Sequence, residues 1–310
     1  MTPSFSMFLL VVEEMSVSRA AKRAHVTQQC VSDHIRRMEE GYRVRLFYRK
    51  PRLSLTPEGQ VVYRTVQQVK ILEEAMEKNL SEIRADVRGH FSIGINATRA
   101  RILLPRVLPR YQKILPQVTV SVVLDDTAAL QEKLLKGEID LLVGINAGQD
   151  PLFQVERLAQ DAVFLAIGKG LLEEYFGQCL NAEKGIDLQE FALVPFVQNL
   201  KDSTLASLVS RHCDFLNLSL NTLYFVSDYD IQIALCGMNV AAFFCPESVL
   251  ERVQRQNEDA GEREKIAIFP IKGLEEKLRV DLITYKNVRQ PLYISRFIEL
   301  VTKYGSSYGT

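Results

Sequence analysis

The stretch Ser16-Val17-Ser18-Arg19-Ala20-Ala21-Lys22-Arg23-Ala24-His25-Val26-Thr27-Gln28-Gln29-Cys30-Val31-Ser32-Asp33-His34-Ile35-Arg36-Arg37-Met38 decides how this chain is read. Ser16 is placed to cap a helix through Arg19 to Ala24, whose small alanines let another helix approach closely. His25 and Val26 interrupt it. Thr27 then caps a further helix running to about Glu40, with Val31, Ile35 and Met38 at i, i+4 and i+7 facing inward. Its outer rows are therefore Gln28, Ser32, Arg36 and Gln29, Asp33, Arg37. A helix, a tight turn and a capped helix with an exposed Gln/Ser/Arg face form a helix-turn-helix, whose second helix enters the major groove of DNA. Gln reads adenine edges, Arg reads guanine, and Ser or Thr serves either a base or a phosphate.

On the amino-terminal side, Phe5, Phe8, Leu9 and Val12 have helical spacing and supply a supporting helix. On the other side, Val44 to Leu55 reads as a short strand, a turn around Lys50 and Pro51, and a return strand. Arg49, Lys50 and Arg52 crowd the tip of this wing, where cations bind phosphate or reach a minor groove; the alternative is a solvated basic loop. Pro57 opens a long helix predicted to reach about Arg88, before Gly89. Along it Val62, Val66, Val69, Leu72, Met76, Leu80 and Ile83 recur in steps of three and four. That stripe is too long for a small head to cover and asks for a partner helix from a second subunit, or else for cover by the rest of the chain.

Beyond Gly89 the pattern alternates. Phe91 to Ile95, Val118 to Leu124 and Ile139 to Ile145 read as strands, with helices at Ile102 to Leu115 and Ala128 to Lys136 between them, so a parallel α/β sheet is expected. Asp161 to Ile167, Ala192 to Val197, Leu223 to Val226, Val240 to Cys245 and Leu278 to Tyr285 read as further strands, and Ser203 to Cys213 and Leu292 to Tyr304 as helices. The fold class is thus α/β overall, behind a mostly α head.

A length of 310 residues, 47% hydrophobic and 25% charged, suits two or three globular units and excludes collagen-like or disordered chains. Net charge is zero, but ten basic residues face six acidic ones up to Gln60, whereas the remainder is acidic by the same margin. A basic head on an acidic body fits a polyanion-binding module joined to something else. Five irregularly spaced cysteines imply reduced thiols, and Phe5 to Val12 lacks the basic flank of a secretory segment, so a cytoplasmic protein with no membrane partner is expected. The histidines are scattered and no phosphate-binding loop occurs, so no metal, no cofactor and no catalytic constellation are expected.

In order and spacing, Ser18-Arg19-Ala20-Ala21, His25-Val26-Thr27-Gln28-Gln29, Val31-Ser32, Ile35-Arg36-Arg37-Met38-Glu39-Glu40, Val44-Arg45-Leu46-Phe47, Arg49 and Leu55-Thr56-Pro57-Glu58-Gly59 resemble the winged-helix signature of LysR-type transcriptional regulators. Phe91-Ser92-Ile93-Gly94, Leu104-Pro105, Leu115-Pro116, Gly137-Glu138-Ile139-Asp140 and Cys236-Gly237-Met238 leading to Phe244-Cys245-Pro246 resemble that family's effector domain. The resemblance covers nearly the whole chain. It implies a DNA-binding head at residues 1–60, a linker and dimerisation helix at 57–88 and an effector-binding domain at 91–302. Within that domain, lobe one would hold about 91–162 and 270–302, and lobe two about 163–269. It further implies double-stranded promoter DNA with a pseudo-palindromic site, a homodimer or homotetramer, RNA polymerase as a further partner, and a small-molecule effector between the lobes.

Carried over residue by residue, the effector contacts would be Thr98, Thr127, Ile145, Ser203 and Thr204, with Arg99 or Arg101 adding charge for an anionic ligand. Thr98 and Thr127 stand near helix starts, where amides and hydroxyls hold a carboxylate; the plainer alternative is that such residues only cap. Ile145 replaces a polar or basic residue of some members, which weakens the case for a dicarboxylate. Three positions depart from the family pattern. Asp33 stands where Arg is frequent, Gln29 where Pro is, and Arg43 where Gly is usual, with Gly41 two residues earlier. Cys236 and Cys245 invite comparison with peroxide-sensing members, but they lack cationic neighbours and read as inert core thiols. The competing function class is a solute-binding or enzyme domain to which a DNA head is appended.

Overall fold

Thr2, Ser16 and Thr27 each accept a backbone N–H from the residue three positions on, and these caps start three helices: α1 (Pro3–Glu14), α2 (Val17–Ala24) and α3 (Gln28–Tyr42). The computed structural model describes residues 1–83, 89–177 and 185–305. Phe8, Val11, Ala20, Val31 and Ile35 close the head's core together with Leu46 and Phe47, and the rings of Phe8 and Phe47 lie 5.5 Å apart. Each of these side chains larger than alanine contributes about 1.5–3 kcal/mol on burial. The wing is an antiparallel ribbon of two short strands, β1 (Phe47–Tyr48) and β2 (Ser54–Leu55), pairing Phe47 with Leu55 and Tyr48 with Ser54.

α4 (Pro57–Ile83) follows. Residues 84–88, onto which the sequence extends this helix, and the side chain of Ile83 lie outside the described residues. The apolar stripe is not uniform. Val66 belongs to the head's own core, with Val62 packed against it, whereas Leu72, Met76 and Leu80 are about half exposed. The expectation that the head is too small to cover this stripe therefore needs correcting for its first turns, because α4 leaves the head still packed on α1.

The rest of the chain runs β3 (Gly89–Ile95), α5 (Ala97–Ile114), β4 (Val118–Leu124), α6 (Thr127–Leu135), β5 (Leu141–Ile145), β6 (Phe153–Asp161), β7 (Val163–Gly168), α7 (Lys169–Phe176), β8 (Pro195–Gln198), α8 (Thr204–Phe215), β9 (Asn221–Phe225), α9 (Tyr229–Gly237), β10 (Phe243–Pro246), α10 (Leu250–Glu258), β11 (Ile266–Pro270), β12 (Leu278–Tyr285) and α11 (Leu292–Gly305). The first lobe is built on a five-stranded sheet in the order β4-β3-β5-β12-β6. β3 and β5 are parallel as expected, but β12 runs antiparallel to both β5 and β6. An all-parallel sheet is thus corrected to a mixed one, and the register gives the reason. Asp161, where the chain leaves this sheet, pairs with Leu278, where it returns, so the returning strand enters at the end the other left and must run the opposite way.

In the second lobe β7 lies between β10 and β11, antiparallel to each, and β8 and β9 form a parallel pair joined to β10's approach by a bridge between Phe196 and Ala242. β7, β8 and β10 are almost wholly buried, and Phe196 stacks on Phe244 at 5.4 Å. No helix among the described residues is long and apolar enough to cross a membrane.

Candidate functional site

On α3 the inward row is dry: Val31, Ile35 and Met38 are at most 5% exposed. Every one of Thr27, Gln28, Gln29, Ser32, Arg36 and Arg37 is exposed, and Asp33 is half-buried. Their settings differ. Thr27 accepts the Cys30 amide at 3.2 Å, so its hydroxyl oxygen serves the helix start. Gln28 accepts a hydrogen bond from the Ser18 hydroxyl at 3.1 Å, which ties α3 to α2. Arg36 lies 3.0 Å from Asp33 and 3.8 Å from Glu40, so its charge is largely answered, and Asp33 in turn has its negative charge shielded. Arg37 has no ion-pair partner among the described residues and is the cation this face offers. Arg49, Lys50 and Arg52 are exposed beyond the ribbon, Arg49 within 3.8 Å of Glu39. Glu39 also accepts the Leu46 amide at 2.9 Å and so fixes the wing against α3.

The second candidate site is a cavity of about 480 Å³ between the two lobes. The starts of α5, α6, α8 and α9 surround it, with Asn96, Asp126, Ser203 and Asp228 as caps accepting the amides of Arg99, Ala129, Ala206 and Asp230 at 2.8 to 3.1 Å. Thr98, Arg99, Thr127, Ile145, Ser203 and Thr204, which the resemblance assigns to an effector, all line it. Their roles divide. Ser203 is spent as a cap, and the Thr127 oxygen accepts the Ile145 amide at 3.0 Å, holding α6 to the end of β5. The hydroxyls of Thr98 and Thr204 make no hydrogen bond among the described residues. Arg99 is almost wholly buried and pairs with the equally buried Asp161, whose oxygens also accept the Ser248 amide and hydroxyl at 2.8 Å each. Arg101 does not line the cavity; it lies 2.9 Å from Asp228 and 3.0 Å from Asp230, linking α5 to α9.

Other lining groups escaped the sequence reading: Asp125, Asp126, Gln131, Asn199, Asp202, Tyr229 and Ser248. Asp126, which caps α6, precedes an apolar helical run and offers a local signal, whereas α9 lacks a clean periodic pattern, so Tyr229 behind its Asp228 cap offers none. Burial holds the Tyr229 phenol above its ordinary range, and Lys133, 2.7 Å from Asp125, holds that carboxylate below its own. Cys236 and Cys245 sit in the second lobe's core, and burial pushes both thiols well up, away from the reactive thiolate.

Comparison with known proteins adds the following. Residues 84–306 match the family described as LysR substrate binding domain, and residues 4–60 match that described as bacterial regulatory helix-turn-helix protein, lysR family. The HTH-type transcriptional regulator CysL of Bacillus subtilis (strain 168) is 27% identical over 162 residues; the match covers 51% of this chain and spans only about half, 54%, of that relative. Among solved structures, ArgP from Mycobacterium tuberculosis is similar at a TM-score of 0.71 and 20% identity, covering 99% of this chain and 97% of that one. Full-length CbnR complexed with its target DNA is similar at 0.55 and 23% identity, over 97% and 98%.

Proposed function

This chain belongs to the lysR family of bacterial regulatory helix-turn-helix proteins, and from that premise we propose that it is a transcriptional regulator whose head binds a pseudo-palindromic promoter site and whose cavity takes a small-molecule effector. The two-faced character of α3 carries the proposal. Its apolar row anchors it in the head, while Gln28, Gln29, Ser32 and Arg37 stay open to a groove. The DNA complex of CbnR, which shares the fold, supports this use of the head. Base edges would be read by Gln28, Gln29 and Arg37, and phosphates met by Arg49, Lys50 and Arg52. Leu72, Met76 and Leu80 would pair two copies along α4. Ligand binding in the cavity would alter the lobe arrangement and hence the spacing of paired heads, to the extent that the ligand prefers one arrangement over another. No catalytic step and no cofactor form part of this function.

A gel shift over a range of salt, on the region upstream of the protein's own gene and on random DNA, tests the reading. Gln28→Ala and Arg37→Ala should each cost about 1–3 kcal/mol on the specific site and little on random DNA. Arg49→Ala should weaken both and lower the salt slope by about 1. Equal losses on both DNAs for all three variants would show that the assigned face does not read bases.

A further inference from the structure

We infer that the cavity between the lobes takes a small zwitterion, with one carboxylate and one ammonium group, of the α-amino-acid class. This rests on the cavity being the effector site, and it replaces the anion expected from sequence. The charges on the lining decide it. Arg99 is the cation among the lining residues, and Asp161 behind it answers its charge. Arg101, the other candidate, is engaged by Asp228 and Asp230. Against these stand three lining carboxylates, Asp125, Asp126 and Asp202. Lys133 answers Asp125, but Asp202 has no ion-pair partner among the described residues and Asp126 has only the helix start it caps. The lining is therefore net negative, and a second carboxylate on a ligand would meet Asp126 or Asp202 with no cation to offset it.

A wholly cationic or neutral ligand leaves the opposite feature unused. In α5 and α8 the caps take the Arg99 and Ala206 amides, so the preceding N–H groups of each first turn have no partner within their own helix. Thr98 and Thr204 add one hydroxyl donor on each side, from the first and second lobes respectively. One carboxylate fits those donors, and one ammonium fits the aspartates. Because α5 and α8 come from different lobes, a ligand carboxylate held by both also draws the lobes together.

Thermal shift and calorimetry on the full chain test this, using the standard L-amino acids at about 10 mM, the matching carboxylic acids that lack the amino group, and succinate and glutarate. At least one amino acid should raise the melting temperature and bind at least about tenfold more tightly than its deaminated counterpart. Asp202→Asn, at an exposed position, should weaken that amino acid about fivefold and leave the deaminated acid unweakened. No shift by any amino acid, or a dicarboxylate binding more tightly than all of them, overturns the zwitterion. Thr204→Trp separates the two levels of the argument. A dicarboxylate whose effect this variant abolishes leaves the cavity as the effector site and removes only the ligand class. Stabilisation by any probe that survives in Thr204→Trp removes the cavity itself.

Discussion

Gly59 shows how one position in the head is dictated by space. A Cβ there would sit 2.1 Å from the carbonyl oxygen of Leu46, a backbone atom that cannot turn aside. The close approach lets buried Thr56 donate to the Arg45 carbonyl at 2.5 Å and accept the Gly59 amide at 2.9 Å, so wing, cap and α4 meet at one point. Gly59→Ala should destabilise the head by about 1–3 kcal/mol in chemical denaturation, since the backbone at Leu46, just before β1, must shift to admit a methyl group. Arg43 presents the reverse case. It takes the left-handed conformation, φ +56°, that ends α3, with its amide donating back to Glu39 and Glu40, while Gly41 lies within the helix with open space around it. The glycine expected at the helix end has thus been displaced into the last turn, where it brings only flexibility. Arg43→Gly and Gly41→Ala should each raise stability by about 0.5–1 kcal/mol, and their effects should nearly add in a double variant unless the end of α3 is held by contacts other than its own cap.

Among the elements, α4 is the one whose apolar pattern runs on beyond the head it helps to close. Its first turns close the head through Val66, but Leu72, Met76 and Leu80 remain open to water. Leu72→Glu with Met76→Glu should therefore leave the melting of the head nearly unchanged and, under the proposed pairing along α4, lower the assembly mass in sedimentation equilibrium; an unchanged assembly mass would remove α4 as the pairing surface. The pattern was legible because α4 repeats its apolar positions for many turns, and the same holds for α3, whose cap and three inward positions all lie within 12 residues. β6, α7, α9, α10 and β11 are not legible in the sequence. β6 alternates poorly, with Gln154, Val155, Glu156 and Arg157 all exposed beside β12, so its strand character comes from its partner. α9 spans nine residues and, with Tyr229, Gln232, Ile233 and Cys236 buried, does not show a clean polar face. In the cavity, the threonines at helix starts are legible only through the resemblance to the family, residue by residue. The carboxylates that set its charge were not, since nothing local shows that Asp202 and Asp126, far apart in sequence, share one space.

Across the two lobes, the Arg99–Asp161 pair joins what the chain separates. Arg99 belongs to α5, Asp161 stands where the chain crosses from the first sheet to the second, and Ser248 follows β10 in the second lobe and gives Asp161 both an amide and a hydroxyl. All three side chains are buried beside the cavity, where charge interactions are poorly screened. A buried pair of this kind adds little net stability over apolar residues of the same shape, but removing one partner leaves an uncompensated charge. Asp161→Asn keeps an oxygen for the Ser248 amide and takes away the charge that answers Arg99, so it should cost the lobes about 3–5 kcal/mol. Arg99→Met in the Asp161→Asn background should recover much of that loss, and the double-mutant cycle isolates the pair's coupling. The recovered double variant still folds but no longer couples α5 to the crossing point and to Ser248. It should therefore bind an effector in the cavity with an altered affinity and, when saturated with it, leave the footprint of the proposed paired heads on DNA unchanged. Retention in that variant of an effector-dependent change in the footprint would place the coupling between lobes elsewhere, with the links from Arg101 to Asp228 and Asp230 as the next to test.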